Sequence, residues 1–286
     1  DRPCGNFKAA YLAECEASNT PVREDIAFDV EHLFSANNVK EFNLEEFEGP
    51  LSTNDIKCLL GALRFNAYFT ALKLRNFKLE KDQQLALLSC LKSNRAIESV
   101  SIGGLQTNKD FYVELFKELQ ANKSCAVREI YLADNKEFGD TGATQLSTWI
   151  SALGHGVSVL DLSNCAIRGK GIAALCTAFK KNAQVNTTLT RLDLTANRFE
   201  AEGSSALAGF LAQPNALTLL SIRDCAASLD LILGALNRGT SREIKELDIS
   251  ANKIPAKSSH LSVFVKSSST ITRLNVSATA FTAEML

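Results

Sequence analysis

Short stretches of alternating apolar and polar residues return along this chain at a nearly fixed distance. In TRLDLTANRF (190–199), Leu192 and Leu194 alternate with polar residues, the pattern of a half-buried strand, and Asn197 and Phe199 follow at set distances. The template LxxLxLxxNxL fits nine times, starting at Val39, Phe69, Ile97, Val127, Val157, Leu189, Leu217, Ile244 and Ile271, with steps of 27–32 residues. Between these strands, residues 53–66, 81–94, 142–155 and 204–213 place apolar side chains three and four apart, which predicts a helix. Ser, Thr, Asp or Gly marks the helix starts, and Pro214 closes one of them.

Nine matches at a near-constant period are the leucine-rich-repeat signature in its long class. The predicted fold class is therefore α/β: a leucine-rich-repeat solenoid, or horseshoe, of about nine repeats, with parallel strands on the concave face and helices on the convex face. One strand–helix unit is too small to bury its own apolar face. Stacking joins these faces into a continuous core, so stability becomes a sum over neighbours. Residues 1–38 precede the first match and read as short helical pieces, an N-terminal cap. Residues 39–286 are assigned to the repeats. The ninth starts at Ile271 and the chain ends at Leu286, so this domain is read as incomplete at its C-terminal side.

The asparagine of the template sits where the strand ends and the chain turns. A buried turn needs partners for its N–H and C=O groups, and an amide both donates and accepts. This position holds Phe47, Phe77 and Leu105, then Asn135, Cys165, Asn197, Cys225, Asn252 and Thr279. The last six are predicted to form a structural ladder; the first three repeats must satisfy their turns otherwise.

Composition excludes more than it identifies. With 45% hydrophobic and 22% charged residues and a net charge of −1, the chain is ordinary globular protein with no electrostatic pull toward nucleic acid. No apolar run nears the roughly 18 residues of a membrane span. Eight cysteines include no CxxC pair, and His32, His155 and His260 lie far apart, so zinc-ligand spacing is absent. Cysteines within apolar patterns imply a reducing, cytosolic compartment. Sequons at Asn122, Asn186 and Asn275 are near chance in number. GKGIAAL (169–175) lacks the spacing of a phosphate loop, and no nucleophile elbow occurs. Neither catalytic residues, cofactor nor metal is expected.

A binding surface is the better expectation. Exposed strand positions of the later repeats hold Tyr131, Asp161, Asp193 and Asp248, flanked by Arg191, Arg223, Glu246 and Arg273. These read either as a weakly acidic stripe for a basic partner segment or as solvated residues typical of the repeat. Trp149 reads either as a convex-side anchor or as a residue packed on the adjacent helix. Lys180 and Lys181 read as a solvated helix end.

The runs FLAQPNALTLLSIRDCAASLDLILGALNRG (210–239), CGNFKAAYLAECE (4–16), PVREDIAFDVEHLF (21–34), VKEFNLEEFEG (39–49) and ALRFNAYFTALKLRNFKL (62–79) resemble the CARMIL family, the capping-protein, branched-actin-nucleator and myosin-I linkers. The resemblance implies a non-catalytic protein–protein interaction scaffold in a regulator of actin capping protein and filament assembly. It also implies a cytoplasmic, cytoskeletal location at the inner face of the plasma membrane. In that family capping protein and myosin I are bound through regions outside this chain. Membrane contact comes from a flanking domain preceding the repeats, and homodimerisation from a cap that follows them, so this chain is expected to be monomeric. The alternative is a stand-alone module, inhibitor-like or pointed-end actin-capping-like, that grips a protein on its concave face. An enzyme or GTPase-activating reading has no residue behind it.

Overall fold

Each described strand is three residues long; its middle residue and the residue just after the strand are apolar, and both are buried in every strand but the last, where Leu274 and Val276 are half-buried. Phe42 and Leu44, Leu72 and Leu74, Val100 and Ile102, and Leu192 and Leu194 illustrate the rule. The intervening residues stay polar because they lie on the opposite face of the sheet. The computed structural model describes residues 2–239 and 243–283. The chain divides into two units, Asp1–Ile130 and Tyr131–Leu286.

The first unit begins with a 3-10 turn (Pro3–Asn6), α1 (Phe7–Ala17) and α2 (Glu24–Phe28), the last continued by a π-helical stretch, Asp29–Phe34. Then strands alternate with helices: β1 (Glu41–Asn43), α3 (Thr53–Leu63), β2 (Ala71–Lys73), α4 (Lys81–Ser93), β3 (Ser99–Ser101), α5 (Lys109–Ala121) and β4 (Glu129–Tyr131). β1, β2 and β3 pair in parallel, with Phe42 opposite Leu72 and Leu72 opposite Val100. A capping box starts α3: the Asp55 N–H donates to Ser52 Oγ at 3.1 Å, and the Ser52 N–H donates to Asp55 Oδ2 at 2.7 Å. α1 packs on α3. Beneath them Phe7 meets Phe42 at 5.0 Å and Phe69 at 5.8 Å between ring centroids, while Phe34 stacks on Phe47 at 6.1 Å.

In the second unit follow α6 (Gly139–Ala152), β5 (Val159–Asp161), α7 (Gly169–Lys181), α8 (Val185–Thr188), β6 (Arg191–Asp193), α9 (Glu200–Leu211), β7 (Leu219–Ser221), α10 (Leu229–Arg238), β8 (Glu246–Asp248), α11 (His260–Ser267) and β9 (Arg273–Asn275). β5 to β9 pair in parallel in chain order, with Leu160, Leu192, Leu220, Leu247 and Leu274 in one register row. The long helices pack consecutively, α6 on α7, α7 on α9, α9 on α10 and α10 on α11. These stacked strand–helix units are a leucine-rich-repeat solenoid. α8 was not foreseen. It takes up the extra residues of the longest repeat, and the Thr188 hydroxyl donates to the Val157 carbonyl at 2.9 Å. Helix edges also moved: the expected 142–155 is observed as Gly139–Ala152. No described helix is long and apolar enough to cross a membrane.

Candidate interaction surface on the strand face

By the two-residue period of a strand, the third residue lies on the sheet face shared with the first and opposite the buried middle residue. In the second unit Asp161 lies beside Asp193, Asp193 beside Ser221, Ser221 beside Asp248 and Asp248 beside Asn275. Tyr131 is half-buried, and the following residue, Leu132, donates its N–H to the Asp161 carbonyl at 2.8 Å. Arg191 and Arg223 are exposed. Arg273 does not project freely: its guanidinium donates to Glu246 at 2.8 Å.

The aspartates have a local task. Asp161 Oδ1 accepts from the Ser163 N–H at 3.1 Å and from its hydroxyl at 2.7 Å. Asp193 Oδ1 accepts from the Thr195 N–H at 3.0 Å, and Asp248 Oδ1 from the Ser250 N–H at 2.9 Å. Each closes a turn onto the residue two positions on, which explains why Asp-x-Ser/Thr recurs at strand ends. Asp161 and Asp193 thus keep Oδ2 outside these turn bonds, whereas Asp248 Oδ2 accepts from Asn275 at 3.1 Å. Burial raises the Asp193 carboxyl above its ordinary range; the Thr195 bonds oppose this and the Asp161 charge adds to it.

An acid whose pKa is higher in the fold than in the open chain binds its proton more tightly when folded. Its ionisation therefore weakens the fold above that pKa, and the penalty lifts as pH falls through it. Asn keeps the Oδ1 acceptor and removes the charge; Asn275 already does so in β9, accepting from the Ser277 N–H at 3.1 Å. Asp193→Asn should melt later than the parent at neutral pH, and the gap should shrink as pH falls toward roughly 4. Thermal melts at a series of pH values check this; a gap independent of pH would reject it.

At the turn beyond the strand, the Asn197 amide makes four short bonds. Nδ2 donates to the Leu162 and Leu194 carbonyls at 2.8 and 2.9 Å, and Oδ1 accepts from Cys165 N–H at 3.3 Å and Ile167 N–H at 2.9 Å. Asn252 repeats the pattern on Ile222, Ile249, Cys225 and Ala227. Asn135 donates to Leu132 at 2.9 Å. The cysteines do something different: Cys165 Sγ donates to the Leu132 carbonyl at 3.1 Å and Cys225 Sγ to the Leu194 carbonyl at 3.0 Å. Burial pushes both thiols up to about 12, so they stay protonated donors. Thr279 donates to Val276 at 2.6 Å. Asn and Cys or Thr strictly alternate from the fourth repeat on, and the residue before each is left-handed: Asp134, Asn164, Ala196, Asp224, Ala251 and Ala278. In the first unit, where Phe77 and Leu105 replace the amide, backbone bonds join the turns: Asn76 N–H donates to the Gly103 carbonyl at 2.9 Å and Gln106 N–H to the Phe77 carbonyl at 3.0 Å. Gly104 takes a left-handed φ of +65°, where a Cβ would collide with the Asn76 side chain.

A second row of asparagines went unread in the sequence. Asn66, Asn94, Asn122, Asn182 and Asn215 lie where a helix returns to the next strand. Asn94 Nδ2 donates to the Leu63 and Asn66 carbonyls at 2.7 and 2.9 Å, and its Oδ1 accepts from Ala96 and Ile97 N–H, each at 2.8 Å. Asn122 donates to Leu91 and Asn94, and Asn182 to Ile150. The available signal was an Asn after α3, α4, α5, α7 and α9, a few residues before the next strand's first apolar residue.

Two sequence readings are decided by packing. Trp149 is 1% exposed, wholly inside α6's packing, so the convex-side anchor reading is overturned. In GKGIAAL the helix N-terminus is already occupied: Asp140 Oδ1 accepts from Arg168 N–H at 2.7 Å and Gly171 N–H at 3.0 Å. A carboxylate of the neighbouring repeat thus takes the place an anion would need. Among the described residues, no cluster of three or more His, Cys, Asp or Glu is arranged to hold a metal.

Residues 4–286 match the family described as CARMIL family, LRR domain. Protein CARMIL of Dictyostelium discoideum is 37% identical over 288 residues, covering 100% of this chain and 27% of that protein. The human capping protein, Arp2/3 and myosin-I linker protein 3 is 29% identical over 290 residues, covering 99% of this chain and 21% of its own length. Rho GTPase-activating protein gacW of Dictyostelium discoideum is 28% identical over 250 residues, covering 87% of this chain and 22% of that protein. The chain thus spans about a quarter of the length of the relatives it matches. With the strand–helix repeat and its turns matched along nearly the whole sequence, the chain belongs to the CARMIL family and is leucine-rich-repeat domain from that family.

Proposed function

We propose that this domain is the non-catalytic scaffold of a CARMIL-type regulator of actin capping protein and of filament assembly at the inner face of the plasma membrane. Alignment of the entire chain with Protein CARMIL carries this reading, since every repeat has its counterpart there. The related linker's name supplies capping protein and myosin I as partners of the whole protein. Those contacts are assigned to regions beyond these repeats. Residues 2–38 act as the cap of the first repeat, and the chain itself is monomeric. The match to gacW fits a scaffold too: a similar repeat stretch stands in a protein named for a different task.

The test is elongation of actin filaments whose barbed ends carry capping protein. Addition of this chain alone should leave elongation unchanged; rapid uncapping would place the activity in the repeats and overturn the assignment.

A second reading is that the strand face grips a basic segment, favoured by the Oδ2 atoms of Asp161 and Asp193 that their own turns leave unused. Asp161, Asp193 and Asp248 changed together to Asn preserve the turn acceptors and remove three charges. Under the scaffold reading, binding of a Lys/Arg-rich peptide is weak and unchanged by the substitutions. Binding lost at an unchanged melting temperature would favour the grip.

A further inference from the structure

In the first unit a groove of about 670 Å³ opens where α3, α4 and α5 return to their strands. It is lined from residues 65–67, 92–93, 95–96 and 121–124. The loops are fixed before any partner arrives, because Asn94 and Asn122 stitch each one to the loop before it through buried or half-buried amides. Onto this rigid floor the chain sets an aromatic ring in water. Phe65 is 75% exposed, the most exposed large apolar side chain among the described residues. The Arg64 guanidinium lies 4.9 Å from its ring centroid. Such a ring adds nothing to the core; a lone exposed ring is ordinary on a protein surface, and here it stands at the rim of a recess, where an aromatic side chain can anchor a partner.

The charges of the groove all have one sign. Lys92, Arg95 and Lys123 line it, and no carboxylate does. Lys92 is held by Glu118 at 2.8 Å. Arg95 and Lys123 are exposed and make no ion pair among the described residues. This stands out in a chain whose net charge is −1. A recess lined by one sign of charge focuses its field and selects a partner of the opposite sign.

We propose that this groove binds an acidic peptide segment of a partner protein, its carboxylates meeting Arg95 and Lys123 and a neighbouring apolar side chain resting on Phe65. An extended peptide fits a recess walled by three successive loops; a flat bilayer would meet the loop tips and leave the recess unfilled.

The test is selection of a random-peptide phage library on the whole chain. Enriched peptides should combine Asp or Glu with an aromatic or aliphatic residue. Synthesised, they should bind at least about tenfold more weakly to Phe65→Ala and to the double variant Arg95→Glu with Lys123→Glu, and more weakly as salt rises. Arg95→Lys with Lys123→Arg should retain binding. All the altered side chains are exposed, so melting temperatures should match the parent and exclude misfolding as the cause. No enrichment, enrichment of non-acidic sequences, or equal binding by the variants would overturn the proposal. So would sedimentation of the chain with phosphatidylserine vesicles, abolished by the same variants, since that would assign this face to a membrane.

Discussion

Phe7→Ala should destabilise the first unit by roughly 3–5 kcal/mol, the range for emptying a fully buried aromatic site. Phe7 is 0% exposed and touches both Phe42 of the first strand and Phe69 just before the second. Its loss leaves a void between α1 and the first repeats that no single side chain can fill. Phe42 and Phe69, themselves 5.0 Å apart, would then lose the ring that covers them. In a linear array the damage should stay near the site. Far-UV circular dichroism in urea should therefore show an early transition, while fluorescence of Trp149, which lies in the second unit, should shift less. Coincident shifts would mean that the domain unfolds as one cooperative body. An unchanged dichroism midpoint would remove the cap role of residues 2–38.

Asn197→Ala should cost roughly 1–3 kcal/mol, because two buried N–H groups lose their acceptor at once and the Leu162 and Leu194 carbonyls lose a donor. Asn197→Asp is the sharper variant. It keeps the acceptor for Cys165 and Ile167 but turns a second oxygen toward two carbonyl oxygens. At neutral pH it should be at least as unstable as the alanine variant, and it should recover as acid protonates the new carboxyl. Cys225→Ser should be far milder, since a hydroxyl still donates to the Leu194 carbonyl. Urea midpoints order the three; an unchanged midpoint for Asn197→Ala would mean that the turn satisfies itself without the amide.

The strands were legible because burial imposes a pattern on them. Leu192 and Leu194 must both face inward, and a template built on that requirement found every strand. The helix edges were less so. The start of α7 is capped by Asp140 from the preceding repeat, a contact that lies 28 residues away in sequence. α8 is a single turn with too few apolar positions to show a period. The second asparagine row lies outside the strand template: these amides stand at the far ends of α3, α4, α5, α7 and α9, where no apolar period marks them. Family membership could be read from extended runs such as 210–239, which are specific beyond the repeat. Exposed residues carry no comparable signal: Asp161 and Asp193 look alike whether they serve their turns or a partner, and nothing in the run 53–66 sets Phe65, which is exposed, apart from its buried apolar neighbours.

The alternation of turn residues gives the second unit a parity. The joint between a cysteine repeat and the asparagine repeat after it is made by an amide that reaches back to Cys165 and Ile167, or to Cys225 and Ala227. The joint between an asparagine repeat and its cysteine successor relies instead on a thiol and on the backbone, as where Phe199 N–H donates to the Cys225 carbonyl at 3.0 Å. The structural module is then a pair of repeats with two unlike seams. Lengthening or shortening the array by two repeats preserves both seams. Removing one repeat would place two amides or two thiols in register, an arrangement absent from repeats four to nine.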